Sequence, residues 1–245
     1  MSETYKNQRY LHKYTSIFDV KEYLKKSIHP IVIIPLGSLE IHEYISMGFD
    51  TILAERVSER IADELNLLIG PILPIGYSAE HVGEGVIWLK PETYLRVLYD
   101  VIDSYLESNF SGFLLLNCHV GNRGLAIATV TQYRRWYSKL KIGHIEVWDY
   151  LGKCFDAKTF DDYCIIENSL AIYFGLIDKE KILKERKEVT RKVKISKLSP
   201  WLTTEIEGVL IKTLPEASYE TGEKIFNCAV SEIIKDIKSW LEEPP

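Results

Sequence analysis

The sequence predicts an α/β protein of three layers, α/β/α, in which a mostly parallel central sheet lies between two layers of helices. Short apolar runs alternate along the 245 residues with amphipathic stretches that are long enough to form helices. Most of these runs are continuously apolar, which is typical of parallel strands that are covered on both faces. Right-handed crossovers between successive strands then predict a single domain over residues 1–245.

The individual elements follow from the spacing of apolar residues. Leu53, Val57 and Ile61 recur at the spacing of one helical face, and Pro91 is a favourable first residue for a later helix. The charged segment 176–206 gives no clear pattern. Strands are predicted at 31–36, 72–75, 113–117, 144–148 and 207–212, and helices at 18–26, 51–67, 92–108, 122–138, 165–175 and 219–242.

Composition and charge exclude several classes of protein. The chain is 46% hydrophobic and 27% charged, as soluble globular proteins are, and its net charge of -5 argues against nucleic acid as a partner. No apolar run reaches the roughly 18 residues that span a bilayer, so no membrane partner is expected. The four cysteines form no CxxC pair, so we expect no disulfide framework and a cytoplasmic location.

Acidic and histidine residues follow two of the predicted strands. Glu40, His42 and Asp50 come after strand 31–36, and His119 comes after strand 113–117. Because the carboxyl ends of parallel strands are where ligands bind, we expect these side chains to meet. Carboxylate and imidazole together suit a divalent first-row metal, and a bridging Asp50 would suit two ions. The alternative is that Asp50 only caps a helix and Glu40 is a loop charge.

Two further residues are candidates for the same site. His81 lies in the glycine-spaced loop 76–85 after strand 72–75, where it would bind substrate or orient a ligand, or would simply be a surface group. Glu167 opens an apolar helical stretch, so either the helix N-terminus favours its charge or it is a further metal ligand. Cys118 is next to His119 but points to the opposite face of the strand, so we expect it to pack in the core.

These segments resemble the motifs of the creatininase (creatinine amidohydrolase) family. Residues 35–42 and 49–51 are similar to its P-x-G-S-x-E-Q-H-G and T-D-T motifs, and residues 76–81 are similar to G-x-S-x-E-H. Residues 117–122 resemble N-G-H-G-G-N, and residues 167–169 fall where the family has E-T-S. Residues 208–222 are similar to the family's C-terminal G-V…A-S…G motif, and the resemblance as a whole covers roughly residues 28–235.

The resemblance implies a three-layer α/β/α fold, often assembled as a hexamer, and a metal-dependent hydrolase that opens cyclic or linear amide C–N bonds. The family's metal ligands correspond to Glu40, His42, Asp50 and His119, and Glu167 matches its late acidic position. We therefore expect one or two divalent ions (Zn, Mn or Fe) per chain, a small-molecule substrate, and a homo-oligomer for which a hexamer is one form.

The chain departs from the family in two places. The G-P-H-L-P after E-Q-H is replaced by residues 43–47, with the loss of a glycine and a histidine. The H-A-G-E before E-T-S is replaced by residues 162–165, which removes the expected proton-transfer groups. Asp162 is the residue that would stand in as general base, since a carboxylate does this work at a suitable pKa. These changes make creatinine itself an unexpected substrate.

Two functions from different classes follow from these observations. The first is a metal-dependent amidohydrolase for a small cyclic amide or a formamide, comparable to the family's archaeal formamide deformylase, with His81 holding the substrate and Asp162 moving the proton. The second is a catalytically degenerate protein that keeps the fold and serves as an oligomeric or ligand-binding scaffold. A Rossmann-like nucleotide binder is disfavoured because no G-x-G-x-x-G follows a strand.

Overall fold

The computed structural model describes residues 15–79, 81, 85–185, 192–195 and 203–244. Within these ranges, apolar periodicity and helix caps produce nine α-helices and six strands. The helices are α1 (Ile17–Lys26), α2 (Phe49–Leu65), α3 (Pro91–Glu107), α4 (Arg123–Trp136), α5 (Val147–Phe155), α6 (Phe160–Tyr173), α7 (Lys179–Glu185), α8 (Val209–Thr213) and α9 (Tyr219–Glu242). The strands are β1 (Ile31–Leu36), β2 (Leu68–Ile69), β3 (Gly112–Asn117), β4 (Lys141–Glu146), β5 (Lys192–Ile195) and β6 (Thr203–Glu207).

The central sheet has the strand order β2-β1-β3-β4, and all its strands are parallel. The last pairs are Leu36 with Asn117 and Asn117 with Glu146, so β1, β3 and β4 end at the same level. The loops that leave these strands therefore meet at one edge, which is where the predicted site residues begin. Strands β5 and β6 form a separate antiparallel pair.

Two apolar cores lie on opposite faces of the sheet. Ile31 and Ile33 belong to the core that contains buried residues of α2, α5, α6 and α9. Val32 and Ile34, which point the other way along the same strand, pack with residues of α3 and α4. This arrangement confirms the predicted three-layer α/β/α fold with a parallel central sheet. In the part of the chain described, no helix is both long and apolar enough to cross a membrane.

Three of the five predicted strands differ from the structure, and the helix predicted at 165–175 begins earlier, at Phe160. The run 72–75 makes only one bridge, between Leu73 and Leu36, while the short strand lies earlier, at 68–69. Strand β4 covers 141–146 rather than 144–148, and helix α5 begins at Val147. The strand predicted at 207–212 is wrong, because its apolar residues form helix α8, and a short apolar run fits a buried helix as well as a strand.

The expectation that no disulfide forms is also wrong. Cys154 on α5 and Cys228 on α9 form a disulfide that closes 74 residues of sequence, with their Cα atoms 6.0 Å apart. The pairing depends on the packing of α5 against α9, which the spacing of cysteines along the chain does not reveal. Cys118 and Cys164 are free and buried, and burial raises the pKa of the Cys118 thiol.

A close helix–helix contact positions the helix that carries Glu167. A Cβ atom at Gly222 of α9 would lie 2.1 Å from the backbone oxygen of Ser169 on α6. Only glycine allows the two helices to approach this closely. The contact holds α6 against α9, and Glu167 of α6 contacts His42 in the loop after β1.

Candidate metal centre

Three side chains converge on one point beyond the end of β1. Glu40 and His42 lie in the loop that follows the strand, and Asp50 lies in the first turn of α2. All three are buried, and each offers a ligand atom within 4.8 Å of the others. Gly37 allows the start of α2 to reach this loop, because a Cβ there would lie 2.5 Å from Oγ1 of Thr51.

Asp50 is held by one of its two carboxylate oxygens. The buried Ser38 hydroxyl donates a hydrogen bond of 2.9 Å to Oδ2, and Nδ1 of His119 lies 3.0 Å from the same atom. The other oxygen, Oδ1, is buried and has no hydrogen-bond partner. The carboxylate is therefore oriented, with one oxygen left to bind something else.

His119 enters the cluster from the end of β3. Its Nδ1 lies 3.0 Å from Asp50 and 3.3 Å from Oε2 of Glu40. Its Nε2 lies 3.0 Å from the backbone oxygen of Tyr77 and 3.1 Å from the Ser78 hydroxyl. These contacts place the ring between the two carboxylates and the loop that follows residue 73.

Hydrogen bonds with Asn117 fix the backbone of His119, and Asn117 is held in turn by Glu146, a residue that the sequence analysis did not identify. The Asn117 side chain donates 2.7 Å to the His119 carbonyl oxygen and accepts 3.3 Å from its N–H. The same Asn117 amide nitrogen lies 2.9 Å from both oxygens of the buried Glu146, which is paired with Arg123 at 3.2 Å. Glu146 could have been identified as an acidic residue at the end of a strand, since β4 ends at the same edge of the sheet.

His42 is oriented by Glu167 on α6. The Nδ1 atom of His42 lies 2.8 Å from Oε1 of Glu167, whereas Nε2 is buried and has no hydrogen-bond partner. If Nδ1 carries the hydrogen and donates it to the carboxylate, Nε2 presents a lone pair to the cluster. The structure thus brings Glu167 to the site as predicted, and its observed contact is with His42.

His81 lies at the rim of the cluster. Its Nε2 atom is 3.5 Å from Oε1 of Glu40, and its side chain keeps 17% of its surface exposed. Tyr77 and Trp88 lie on the same loop, with their rings edge to face and their centroids 6.4 Å apart. Residues 80 and 82–84 of the predicted loop lie outside the described residues. A group at the rim and open to solvent is well placed to meet a substrate.

The carboxylate of Asp162, which is the predicted general base, caps the start of a helix. Asp162 is the third residue of α6, and its carboxylate accepts hydrogen bonds of 2.8 Å from the backbone N–H groups of Lys158 and Thr159. Together with the Thr159 hydroxyl it forms a capping box at the helix start. These backbone hydrogen bonds lower the pKa of Asp162, which makes it a weaker base.

Neighbouring charged residues determine the direction in which the pKa values of His42 and Glu40 shift. Burial disfavours the charged form of His42, but the carboxylate of Glu167, followed by the other two acidic groups of the cluster, raises its pKa to about 9. Burial likewise disfavours the charged form of Glu40, but the neighbouring histidines, His119 above all, lower its pKa to about 2. Without a metal the site is therefore a set of buried ion pairs.

The unsatisfied atoms of the cluster fit a metal ion. Nε2 of His42 and Oδ1 of Asp50 are buried without a hydrogen-bond partner, and the buried Oε2 of Glu40 lies 3.3 Å from Nδ1 of His119. A buried polar atom left in this way costs free energy unless something binds it. All three atoms can offer lone pairs, which are what a divalent cation accepts from its ligands. The donor set of one imidazole nitrogen and two carboxylate oxygens suits Zn, Mn or Fe.

A parallel α/β fold with buried histidine and carboxylate donors at the carboxyl edge of its sheet defines a metal-binding α/β protein. The family model for creatininase, described as creatinine amidohydrolase, matches residues 13–237. The chain therefore belongs to the creatinine amidohydrolase family.

Two characterised relatives match the sequence. The 3-dehydro-scyllo-inosose hydrolase of Thermotoga maritima is 31% identical over 103 residues, which are 41% of this chain and 32% of that protein. The creatinine amidohydrolase of Pseudomonas putida is 23% identical over 239 residues, which cover 88% of this chain and 90% of that protein. The family and the creatinine amidohydrolase relative point to a hydrolase that acts on C–N bonds other than peptide bonds.

Solved structures share the fold. A crystal structure of creatinine amidohydrolase (creatininase) has a TM-score of 0.76 at 18% identity and covers 96% of this chain and 98% of its own. A manganese form of creatininase and a zinc–zinc form each have a TM-score of 0.75 at 18% identity, covering 96% and 95% of this chain and 99% and 98% of their own. These likenesses show that the fold is shared, and the manganese and zinc belong to the two creatininase structures.

Proposed function

We propose that this protein is a metal-dependent amidohydrolase that hydrolyses the C–N bond of a small cyclic amide or a formamide. The observation that carries the proposal is the buried cluster of Glu40, His42 and Asp50, in which each residue offers a ligand atom within 4.8 Å of the others and in which Nε2 of His42 and Oδ1 of Asp50 have no hydrogen-bond partner. Family membership supplies the amidohydrolase chemistry. The metal is Zn, Mn or Fe, with one or two ions per chain.

Each residue of the cluster has a distinct task in this proposal. Glu40, Asp50 and His119 would hold one ion, and His42 with Glu167 would hold a second ion where two are bound. A divalent ion supplies Lewis acidity and activates water when it is bound. Glu167 either binds metal itself, as the family pattern implies, or keeps the lone pair of His42 directed inward, which is the contact observed.

The substrate and the proton have their own groups in the proposal. His81 lies at the rim, 3.5 Å from Glu40, and is proposed to hold the substrate's amide group. Asp162 remains the proposed general base. To act in this way its carboxylate must leave the capping box at the start of α6.

A second function is favoured by the same capping box. Because Asp162 is occupied as a helix cap and the family's H-A-G-E is absent, a catalytically degenerate protein that binds metal or a ligand is the competing proposal. Such a protein would keep the three-atom cluster but lack turnover. Metal content alone therefore does not separate the two functions, and an activity measurement is required.

The test combines metal analysis with turnover. Metal per chain is measured by elemental analysis on the wild type, on Glu40→Ala and on the exposed control Glu223→Ala. We expect one or two ions in the wild type and in the control, and fewer in Glu40→Ala. The metal-loaded wild type and His119→Ala are then screened with formamides, cyclic ureides and the substrates named for the two relatives.

The outcomes separate the candidates. Turnover that is lost in His119→Ala supports the amidohydrolase. Bound metal without turnover of any compound in the screen favours the degenerate scaffold. A wild type that takes up no metal after loading with Zn, Mn or Fe would contradict the amidohydrolase and leave the degenerate scaffold as the better account.

The remaining features of the chain are proposed from the family and the composition. We propose that residues 1–245 form a single domain, that the protein is cytoplasmic, and that it assembles as a homo-oligomer, with a hexamer as one form. Light scattering coupled to size-exclusion chromatography measures the assembly directly, and a monomeric mass at micromolar concentration would refute it.

A further inference from the structure

The loop that follows His42 has an unusual backbone for its sequence. Glu43 has a φ of 50°, in the left-handed region that favours glycine. This is the position at which the chain replaces the glycine of the family's G-P-H-L-P motif. The loop therefore keeps a glycine-like conformation with a residue that disfavours it, so some other interaction must compensate.

The Glu43 side chain provides that interaction. Its Oε1 atom accepts hydrogen bonds of 2.7 Å and 3.1 Å from the backbone N–H groups of Val209 and Leu210, and Oε2 accepts one of 3.3 Å from Ile211. These are free N–H groups of the first turn of α8, where a carboxylate is favoured by both hydrogen bonding and the helix dipole. Glycine could not make these bonds, so the substitution joins the loop to α8.

The next residue makes a second connection. The Tyr44 hydroxyl donates a hydrogen bond of 2.5 Å to Oδ1 of Asn168, which is fully buried on α6. The amide nitrogen of Asn168 in turn donates to the backbone oxygen of Leu210 at 2.8 Å and to the Thr213 hydroxyl at 3.1 Å. The loop, α6 and α8 are thus joined in a closed circuit of hydrogen bonds, which we call the loop clamp (Glu43, Tyr44, Asn168 and α8).

The loop clamp adjoins both members of the pair that orients the metal-site histidine. Glu43 directly follows His42, and Asn168 directly follows Glu167, whose carboxylate lies 2.8 Å from Nδ1 of His42. The turn is closed at its base by hydrogen bonds from Ile45 N–H to the His42 oxygen at 2.8 Å and from Glu40 N–H to the Met47 oxygen at 3.0 Å. A shift of the loop would therefore change the separation of His42 and Glu167.

We propose that Glu43 and Tyr44 are positioning residues that hold His42 and Glu167 together through the loop clamp. The two residues stand in the segment where the family motif has a glycine and a histidine, and the inference rests on the proposed metal function. Neither residue touches the cluster's ligand atoms in the contacts described, so both act through the loop. The consequence is that metal affinity depends on hydrogen bonds outside the ligand set.

The test uses two conservative variants and one matched control. Glu43→Gln keeps the size of the side chain but removes its charge, and Tyr44→Phe removes only the hydroxyl. Tyr150→Phe is the control, because its hydroxyl makes a comparable 2.7 Å bond to Asp236 outside the cluster. Zn²⁺ dissociation constants are measured by competition with a chromophoric chelator, and hydrogen exchange of segment 208–213 is measured on the metal-free protein.

We expect Zn²⁺ binding to weaken by about tenfold or more in Glu43→Gln and in Tyr44→Phe, in line with the effect of removing outer partners of metal ligands, and to stay unchanged in Tyr150→Phe. We also expect faster exchange of segment 208–213 in Glu43→Gln. If exchange rises but both variants bind Zn²⁺ like the wild type, the clamp is only structural and the positioning role is wrong. Exchange that does not change would overturn the clamp itself.

The same experiment separates this inference from the proposed function. A wild type that binds no Zn²⁺ overturns the metal function, and the positioning role falls with it. If the wild type binds Zn²⁺ and both variants bind it equally tightly, the positioning role alone is wrong. Should Glu43→Gln fail to fold, Tyr44→Phe decides the question, since it deletes a single oxygen atom.

Discussion

The replacement of Glu167 by Gln is the sharpest test of how the cluster is organised. The substitution keeps the shape of the side chain and leaves an oxygen that accepts from Nδ1 of His42, but it removes the charge 2.8 Å from that ring. A carboxylate that receives the hydrogen of a metal-binding histidine raises the basicity of the ring. We therefore expect weaker metal binding in Glu167→Gln with the number of ions per chain unchanged.

The expected size of the effect follows from linkage. Loss of such a partner weakens metal binding by about 10- to 100-fold. At free Zn²⁺ a thousand times the wild-type dissociation constant, binding stabilises the folded protein by about 4.1 kcal/mol, and this falls to about 1.4–2.7 kcal/mol in the variant. For a chain of this size the loss lowers the melting temperature by roughly 3–11 °C.

The assay is thermal unfolding with and without Zn²⁺, together with a direct dissociation constant and metal analysis. Glu223→Gln, an exposed position on α9, is the matched control and should keep the full Zn²⁺-dependent increase in melting temperature. An unchanged dissociation constant in Glu167→Gln would refute the role assigned to this contact. Loss of a whole ion per chain would show instead that Glu167 is itself a ligand.

Three further predictions concern the fold and the proposed base. Asp162→Asn should lower the free energy of unfolding by about 1 kcal/mol through loss of the cap, and it should lower kcat because Asp162 is the proposed general base; an unchanged kcat would refute that role. Because folding lowers the pKa of Asp162, its stabilising contribution should be present at neutral pH and disappear as the pH falls through that pKa, as denaturant titrations at several pH values will show. Replacing Cys154 and Cys228 by Ser should cost about 2–4 kcal/mol in urea unfolding, because the disulfide closes a long loop, and equal midpoints would contradict this. Gly222→Ala should destabilise by about 1–3 kcal/mol, whereas Gly124→Ala, where an added Cβ meets nothing within 4 Å, should be neutral or stabilising.

The sequence was most informative where chemistry and strand ends coincide. Position in the sequence is enough to identify four residues, because they follow apolar runs whose carboxyl ends meet in a parallel sheet. These are Glu40, His42, Asp50 and His119, and the structure places all four close to one another. The fold class follows from the same runs. Short apolar runs are less reliable, as 207–212 shows, because they do not distinguish a strand from a buried turn of helix.

Residues that support the cluster were harder to find because their roles depend on tertiary neighbours. Glu146 reaches Asn117 only because β4 pairs in register with β3, and a strand predicted at 144–148 puts its end two residues too late. Glu43 acquires its partners from α8, more than 160 residues away along the chain. No local pattern in the sequence indicates such long-range pairs, and the same is true of the disulfide.

The three residues at the centre of the candidate metal site, Glu40, His42 and Asp50, lie within eleven consecutive positions of the chain. Contacts of such short sequence separation cost little loop entropy and form early relative to long-range ones. His119 and Glu167 join this segment from 69 and 125 residues away, through contacts with Asp50 and His42. An ion held by this segment would therefore tie β3 and α6 to it, so that metal binding would stabilise long-range contacts of the fold as well as supply chemistry.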